Sequence, residues 1–456
     1  PSTFQWFGWY TLFCFAMQGA AGALLCARGQ AKTGAGALVF STLGGLLFVM
    51  LPTLWERAFR HTALASQWLF LLALYAFLEY RQNLHSGTAK FPWAMPVLAF
   101  LAVGIHPYFL PLVMMCALLA AVELGRQKKA WGRAALQFAA SLAAAVVGGV
   151  LCGAIGSGTG ASRSGYGDYS MNLNALPTSR GGYTWSRLYQ VMPQQPGQYD
   201  GFNYLGLGVL ALITAALLFS LRRAVRCPQN TKTWWHRNGP VFAACVFLTL
   251  FAVSNKIYWG NTGIELPLPA KLLELCGIFR ASGRMFYLVA ACMVVYAVYT
   301  LRDRLPGRYA VLVLALFVGV QAFDLSAAAQ QKRQKFADPI NATVVNNDQT
   351  ASLGAGHIQL LAAGEVREDR LRLLAILAGK QGLATNLDIA VSGSHPAAEA
   401  SRADTAARLA AGQYDPTAVY VTTDGATWEN WQAVFAGDDS LNFFVADSCY
   451  FMVPAV

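Results

Sequence analysis

The sequence predicts a polytopic α-helical membrane protein with about ten transmembrane helices, followed by a small C-terminal α/β domain. Of its 456 residues, 55% are hydrophobic and only 12% are charged, whereas an ordinary soluble domain has about 25% charged residues. Windows of about twenty apolar residues recur as far as position 325, and helical and strand patterns alternate after position 340. We therefore predict a transmembrane domain at 1–325 with an outer loop at 156–203, a linker at 326–340 and an α/β domain at 341–456.

Ten apolar segments are candidate spanning helices. They lie at 5–26, 34–54, 63–80, 92–105, 107–124, 134–155, 204–221, 240–257, 283–301 and 309–324. The run from Phe91 to Leu124 is too long for one straight helix, and Pro107 interrupts it. Because proline kinks or ends a helix, we predict two helices here, with a tight turn at His106.

The positive charge indicates an orientation rather than a nucleic-acid partner. The net charge is +11, which in a soluble protein would suggest nucleic acid. Here Lys and Arg collect in alternate short loops, among them those at 126–133, 222–237 and 302–308. Such loops face the cytoplasm, so we expect the long loop and the C-terminal domain to be extracytoplasmic, and membrane lipids rather than nucleic acid to be partners.

The outer loop at 156–203 is long, polar and rich in aromatic residues. Loops of this length are usually functional or disordered, and disordered segments are poor in aromatic residues. We interpret the loop as an ordered cap over the outer face; the alternative is a solvated connector whose rings lie in the interfacial belt. Asp168 lies between Tyr166 and Tyr169, where the rings can stack on a sugar and the carboxylate can bind its hydroxyl groups.

The loop ends at Asp200 and Asn203, just before the seventh apolar segment. Asn203 can cap that helix, and a carboxylate such as that of Asp200 is favoured near a helix N-terminus. A capping role therefore competes with a binding role at Asp200, and Asp168 is the better binding candidate.

Two other outer segments concentrate ionisable side chains. The turn after the second apolar segment holds Glu56, Arg57, Arg60 and His61. This turn is either part of a binding site or an interfacial turn whose arginines extend to the headgroups.

The loop at 254–282 ends in an amphipathic helix of the kind that lies in the membrane interface, and it leads to Arg280 and Arg284. Helically spaced arginines bind a phosphate or diphosphate, and anchoring to lipid headgroups is the alternative.

After position 340, candidate strands alternate with helices, which predicts a βαβ arrangement. We predict strands at 357–363, 387–391, 417–423 and 442–453, and helices at 366–380, 397–412 and 427–436. This domain has neither a G-x-G-x-x-G nor a G-x-S-x-G motif, and we predict no chemistry for it from the sequence. The nine cysteines lie mostly in apolar segments without metal-ligand spacing, so we expect neither disulfides nor a metal site.

Several motifs together resemble a bacterial family of multi-pass membrane proteins described only as a domain of unknown function. In chain order they are FQWFGWYTLFCFAMQG, WERAFRHTALASQW, GIHPYFLPL, YSMNLNAL, GQYDGFNYLGLG, LPLP and FRASGRMFY. The architecture of that family is similar to the GT-C superfamily of membrane glycosyltransferases. The resemblance implies a bacterial inner-membrane enzyme that transfers a sugar from a polyprenyl-phosphate donor to an outward-facing glycan, lipid or protein acceptor.

In GT-C enzymes the catalytic acid usually lies in the first outer loop, and this chain begins where the helix after that loop would start. We therefore expect an N-terminal segment to be missing, and with it the catalytic acid. Glu56, Asp168 and Asp200 stay as candidates from the residues alone. No cofactor is evident, although some members of the superfamily use a divalent metal, which the resemblance leaves open.

The candidate substrate-binding residues come from all of these outer segments. They are Arg57, Arg60, His61, His106, Tyr108, Tyr166, Tyr169, Asn172, Asn203, Arg280 and Arg284.

Two other functions stay open. One is a flippase or transporter of lipid-linked glycans, which the absence of ionisable residues at the centres of the spans disfavours. The other is a non-catalytic membrane scaffold for envelope glycan assembly.

Overall fold

A computed structural model describes residues 6–30, 34–155, 165–179, 185–188, 192–337, 348–388 and 396–455. The chain divides into two compact units, Pro1–Lys335 and Phe336–Val456. Parts of the predicted outer loop (156–164, 180–184 and 189–191), of the predicted linker and the start of the α/β domain (338–347), and of the strand predicted at 387–391 (389–391) lie outside the described residues.

The first unit is helical apart from one short antiparallel hairpin. Its helices are α1 (Trp6–Ala27), α2 (Ala35–Val49), α3 (Pro52–Ala58), α4 (Trp68–Ser86), α5 (Ala94–Ile105), α6 (Leu110–Lys128), α7 (Trp131–Leu151), α8 (Leu207–Arg226), α9 (Pro228–Val253), α10 (Ala270–Gly277), α11 (Phe286–Arg304) and α12 (Gly307–Ala337). The hairpin strands are β1 (Lys256–Trp259) and β2 (Thr262–Glu265). The segment 326–337, predicted as a linker, is the last part of α12.

In the described part of the chain, eight helices are long and apolar enough to cross a membrane. A ninth candidate is the pair α2 and α3, and α5 is a shorter apolar helix. These helices indicate a multi-pass membrane protein. The predicted break in the run after Phe91 is confirmed, since α5 ends at Ile105 and Pro107 opens the next span after an extended His106.

A bend of 52° separates α2 from α3. Leu51 is extended and Pro52 begins α3, so the carbonyl groups of Val49 and Met50 at the end of α2 have no partner further along the helix. The indole of Trp55 donates to the carbonyl oxygen of Val49 at 2.8 Å, and the amide of Gln321 in α12 donates to that of Met50 at 3.1 Å. Backbone groups in apolar surroundings need such partners because no water is available there.

The second unit contains one mixed sheet. Its elements are α13 (Asp348–Ala351), β3 (Gln359–Ala362), α14 (Glu368–Gln381), β4 (Ala384–Thr385), α15 (Pro396–Ala410), β5 (Ala418–Thr422), α16 (Gly425–Val434), β6 (Leu441–Ala446) and β7 (Cys449–Pro454). The strand order is β4-β3-β5-β7-β6, with β3 parallel to both β4 and β5, and β7 antiparallel to β5 and β6.

Two of the predicted strands differ from the structure. The run predicted as one strand at 442–453 is a hairpin, with Asp447 and Ser448 both at positive φ in the turn between β6 and β7. Two-residue hairpin turns favour that geometry because its twist matches the strands. The strand predicted at 387–391 lies earlier in the described residues, at β4, because Gly382 ends α14 in a left-handed conformation and the chain pairs with β3 from Ala384 onward.

Candidate functional site

A buried ion cluster joins three segments that are far apart in the sequence. The carboxylate of Asp200 forms ion pairs with Arg57 from α3 and with Arg284, which lies just before α11. Nη2 of Arg284 donates to Oδ2 of Asp200 at 2.6 Å, and Nη2 of Arg57 donates to the backbone oxygen of Asp200 at 2.6 Å. The exposed fractions of the three side chains are 1%, 9% and 10% for Arg57, Asp200 and Arg284. We call these three residues the ion cluster.

Local structure fixes the position of each member. Asp200 directly follows a 3₁₀ turn at Pro196–Tyr199, which Gln195 and Gln198 close with a capping box. Nε of Arg57 donates to the hydroxyl oxygen of Tyr287 at 2.8 Å, so α11 orients its guanidinium.

Two glycines let the segments of Asp200 and Arg284 approach each other. A Cβ added to Gly283 would lie 2.6 Å from Cα of Gly201. Any larger residue there would push apart the two backbones that carry Asp200 and Arg284.

The ion cluster has two guanidinium groups for one carboxylate and therefore carries an excess positive charge. Burial raises the pKa of Asp200, but the attraction of Arg57 and Arg284 outweighs it and holds the pKa below its ordinary value. Nε of Arg284 and Oδ1 of Asn203 are buried and have no hydrogen-bond partner among the described residues. Buried polar atoms are normally paired, so these two atoms mark where a small polar ligand or water could bind.

Two histidines lie beside the ion cluster, and both have lowered pKa values. Burial, together with the nearby charge of Arg284, lowers the pKa of His106 to about 4. Burial also lowers the pKa of His61, with a contribution from Arg57. The ring of Tyr108 lies under the guanidinium of Arg284, 4.5 Å from it. Both imidazoles are therefore neutral at pH 7.

Glu56 and Arg60 extend the polar region along α3. Nη1 of Arg60 donates to Oε1 of Glu56 at 2.7 Å, and Glu56 is buried whereas Arg60 is 43% exposed. The guanidinium of Arg60 lies 5.3 Å from the centre of the Tyr199 ring, which in turn packs edge-on against Tyr169.

Arg280 also contacts Tyr169, with its guanidinium 5.6 Å from the centre of that ring. Among the described residues, no carboxylate pairs with Arg280. It is thus the arginine of this region that is least engaged within the protein.

The structure brings together many of the predicted site residues. Those at or beside the ion cluster are Glu56, Arg57, Arg60, His61, His106, Tyr108, Tyr169, Asp200, Arg280 and Arg284.

Other candidates have local structural roles. Asp168 is exposed and forms an ion pair with Lys256 at 2.7 Å, and the hydroxyl of buried Tyr166 donates to the carbonyl oxygen of Phe251. The amide of Asn172 donates to Gln198 and to the backbone of Gly260.

The predicted capping role of Asn203 is wrong. Helix α8 begins at Leu207 with Gly206 as its N-cap, and the Asn203 amide instead donates to the carbonyl oxygens of Gly201 and Gly283. It therefore holds the two glycine segments together below the ion cluster.

A further buried carboxylate, that of Asp324, was not predicted from the sequence. Asp324 of α12 is fully buried and accepts hydrogen bonds from Ser186 at 2.5 Å, from Tyr204 at 2.6 Å and from the backbone of Leu207 at 3.0 Å. It was predicted only as the end of the last span. Its signal in the sequence is that it is a lone acid inside a long apolar segment, where ionisable residues are rare and have a role.

Lys332, two turns later on α12, is a second buried ionisable residue that was not predicted from the sequence. Its ammonium lies 4.5 Å from the centre of the Phe59 ring and 5.1 Å from that of Trp185. Lys332 was not predicted as a buried residue because it lies in the segment 326–340, which the sequence predicts as a polar linker. In the described residues, no group of three or more His, Cys, Asp and Glu side chains is placed to hold a metal ion.

Comparisons with known proteins agree with the division into two units. A family model described as "Domain of unknown function (DUF6311)" matches residues 1–326, and one described as "DUF6311 C-terminal domain" matches residues 348–454. No curated protein and no solved structure matches the chain. Because the first model alone covers well over half of the sequence, the chain belongs to the DUF6311 family.

Proposed function

We propose that this protein is a membrane glycosyltransferase of the GT-C type, which transfers a sugar from a polyprenyl-phosphate donor to an outward-facing acceptor. The observation that carries the proposal is the composition of the ion cluster and its surroundings. Four guanidinium groups and two carboxylates lie together with tyrosine rings, next to long apolar helices. An excess of cations beside aromatic rings suits a ligand with an anionic group and a sugar.

Arg280 is the proposed phosphate ligand. It follows α10, whose residues Leu272 and Leu275 are exposed, as is Ile278 just beyond it. Apolar residues exposed on one short helix support a position at the membrane interface, which is the depth of a lipid phosphate. Arg284, for which the sequence suggests the same role, is already paired with Asp200 and acts by positioning the site.

His61 is the proposed proton acceptor. Glu56, Asp168 and Asp200 each form an ion pair with a cationic side chain, so each carboxylate is already engaged within the protein. The lowered pKa of His61 keeps its imidazole neutral, so it can take the proton from an acceptor hydroxyl.

The proposal places the protein in a bacterial inner membrane with its C-terminal unit on the outer side. The support is the clustering of Lys and Arg in alternate short loops.

Donor binding by the purified full chain in nanodiscs tests the proposal. We expect Arg280→Ala to weaken binding of a polyprenyl-phosphate hexose by about ten- to a hundredfold, because a charged hydrogen bond contributes about 1.5–3 kcal/mol. Arg280→Lys should recover part of that, since it keeps the charge but loses the planar fork. The matched control is Arg222→Ala, an exposed arginine fifteen residues into α8 and so about 22 Å along its axis from the start of that helix.

A phosphate-free polyprenol separates phosphate recognition from simple lipid partition. Wild type and Arg280→Ala should bind it alike. If both proteins also bind the phosphorylated donor alike, Arg280 is only a headgroup anchor and the proposed donor site is wrong.

A non-catalytic scaffold is the second candidate function. The observation that favours it is that all three candidate carboxylates are ion-paired, as they would be in a purely structural cluster. Release of free hexose from the bound donor, abolished in His61→Gln, would favour the enzyme. Binding of the donor without any turnover would favour the scaffold.

A further inference from the structure

A cavity of about 410 Å³ opens at one edge of the sheet in the C-terminal unit. Its lining comes from the loop 363–367 after β3 and, after β5, from Thr423, Asp424 and Thr427, where the second loop leads into α16. The volume lies within the range of small-molecule sites in proteins. This cavity belongs to the second unit, whereas the ion cluster belongs to the helical unit.

The chain topology explains why the cavity lies there. Strands β3 and β5 are parallel neighbours, but the helices that follow them cover opposite faces of the sheet. Leu374 of α14 packs on the face that carries Val419, whereas Trp431 of α16 packs on the face that carries Tyr420.

The two loops therefore diverge and leave a crevice at the carboxyl ends of the strands. In open α/β sheets this reversal of strand order is the general location of ligand sites.

Hydrogen bonds hold the two loops of the crevice in place. The backbone N–H of Arg367 donates to Oγ1 of Thr423 at 3.0 Å. Asp424 caps α16, since its Oδ2 accepts from the backbone N–H of Thr427 at 2.8 Å and from its hydroxyl at 2.6 Å. The site is thus formed before any ligand arrives.

The chemistry of the lining disfavours an anionic ligand. The N-terminus of α16 would attract an anion, but the carboxylate of Asp424 already occupies it. The guanidinium of Arg367 is engaged by Asp369 through two hydrogen bonds of 3.1 and 2.8 Å. No cation of the lining is left for a phosphate.

Glu365 is the lining carboxylate that is available. It is exposed, and within the described residues the structure gives it neither a hydrogen bond nor an ion pair. A carboxylate has two acceptor oxygens and binds neighbouring hydroxyl groups well. Val366 adds an apolar surface to the lining.

We propose that this crevice binds a neutral polyhydroxylated ligand, a sugar residue of a glycan, with Glu365 accepting hydrogen bonds from its hydroxyl groups. The inference goes beyond the proposed transfer reaction, because it assigns a binding site to the second unit whichever donor the helical unit takes. It makes the C-terminal unit a glycan-recognition module.

Saturation-transfer NMR on the full chain in nanodiscs tests this proposal. The probes are methyl α-glucopyranoside, methyl α-mannopyranoside and N-acetylglucosamine, with inorganic phosphate and putrescine as anionic and cationic probes. We expect saturable binding of at least one sugar, weakened about tenfold or more in Glu365→Ala, because hydrogen bonds to a charged group are among the stronger ones. The matched control is Glu368→Gln, an exposed glutamate in the first turn of α14 outside the lining.

The outcomes separate the crevice from the helical unit. Loss of sugar binding in Glu365→Ala together with normal binding in Arg280→Ala supports the crevice. Sugar binding that survives Glu365→Ala but is lost in Arg280→Ala overturns the inference and places the sugar at the ion cluster. Binding of phosphate or putrescine in preference to every sugar, or no sugar binding at all, also overturns it. Because Glu365 is exposed in a loop, an unchanged melting temperature of Glu365→Ala shows that the unit stays folded.

Discussion

Replacing Asp200 by Asn tests whether the ion cluster stabilises the fold. The wild-type ion cluster has a charge of +1, since one carboxylate offsets one of two guanidinium groups. Asn keeps the shape but leaves a charge of +2 among side chains that are at least nine-tenths buried. Removing one partner of a buried pair costs about 3–5 kcal/mol, because the remaining charge is buried without compensation.

Arg284→Met should destabilise the protein less than Asp200→Asn, which separates the effect of an uncompensated charge from the loss of one ion pair. That variant leaves Arg57 and Asp200 as a neutral pair. At about 2 °C per kcal/mol for a large domain, we expect Asp200→Asn to lower the melting temperature by about 6–10 °C. The assay is tryptophan fluorescence during heating of the detergent-solubilised full chain.

Asp168→Asn is the matched control. The Asp168 carboxylate is 49% exposed and its partner Lys256 is 27% exposed, and exposed pairs contribute at most about 1 kcal/mol. A melting temperature for Asp200→Asn equal to that of Asp168→Asn would refute the reasoning. So would a larger loss in Arg284→Met than in Asp200→Asn.

Two further predictions concern pH and packing. Because the pKa of His106 falls from 6.5 to about 4 on folding, the unfolded chain binds more protons between these values. The free energy of unfolding should therefore decline by about 1.4 kcal/mol per pH unit as pH falls through that window. In melting curves recorded from pH 7 to 4, His106→Gln should reduce this dependence of stability on pH. An unchanged pH dependence would show that His106 is not its source. Gly283→Ala should destabilise the protein by about 1–3 kcal/mol, since its Cβ would meet the backbone of Gly201. The control Gly319→Ala, with open space around it, should melt no lower than wild type. Equal melting temperatures of the two variants would show that Gly283 is not in close contact with Gly201.

Patterns with a strong local cause were predictable from the sequence. Pro107 breaks its apolar run because proline cannot continue a helix, and the amphipathic segment after Pro269 forms α10. Element type in the C-terminal unit followed from the alternation of strand and helix patterns. The two strands of the hairpin at 442–453 were predicted as one strand. Strand-forming residues continue on both sides of Asp447 and Ser448, and the positive φ of these two turn residues is visible only in the structure.

The pairing of the charged residues in the ion cluster could not be predicted from the sequence. Asp200 is 143 residues from Arg57 and 84 from Arg284, and no local rule brings such positions together. Capping statistics favoured a local role for Asp200 and a binding role for Asp168, whereas tertiary contacts gave Asp200 the two arginines and left Asp168 at the surface with Lys256. Burial decided which of two similar carboxylates became part of the ion cluster.

The bend between α2 and α3 has a mechanical consequence. Two carbonyl groups at the bend, those of Val49 and Met50, accept hydrogen bonds from side chains, Trp55 of α3 and Gln321 of α12. Straightening the pair would remove both donors from their acceptors with no water to replace them. The bend therefore resists straightening and fixes the position of α3, with Glu56 and Arg57, and of Arg60 just beyond it. We expect any opening of the site to come from movement of the segments that face α3.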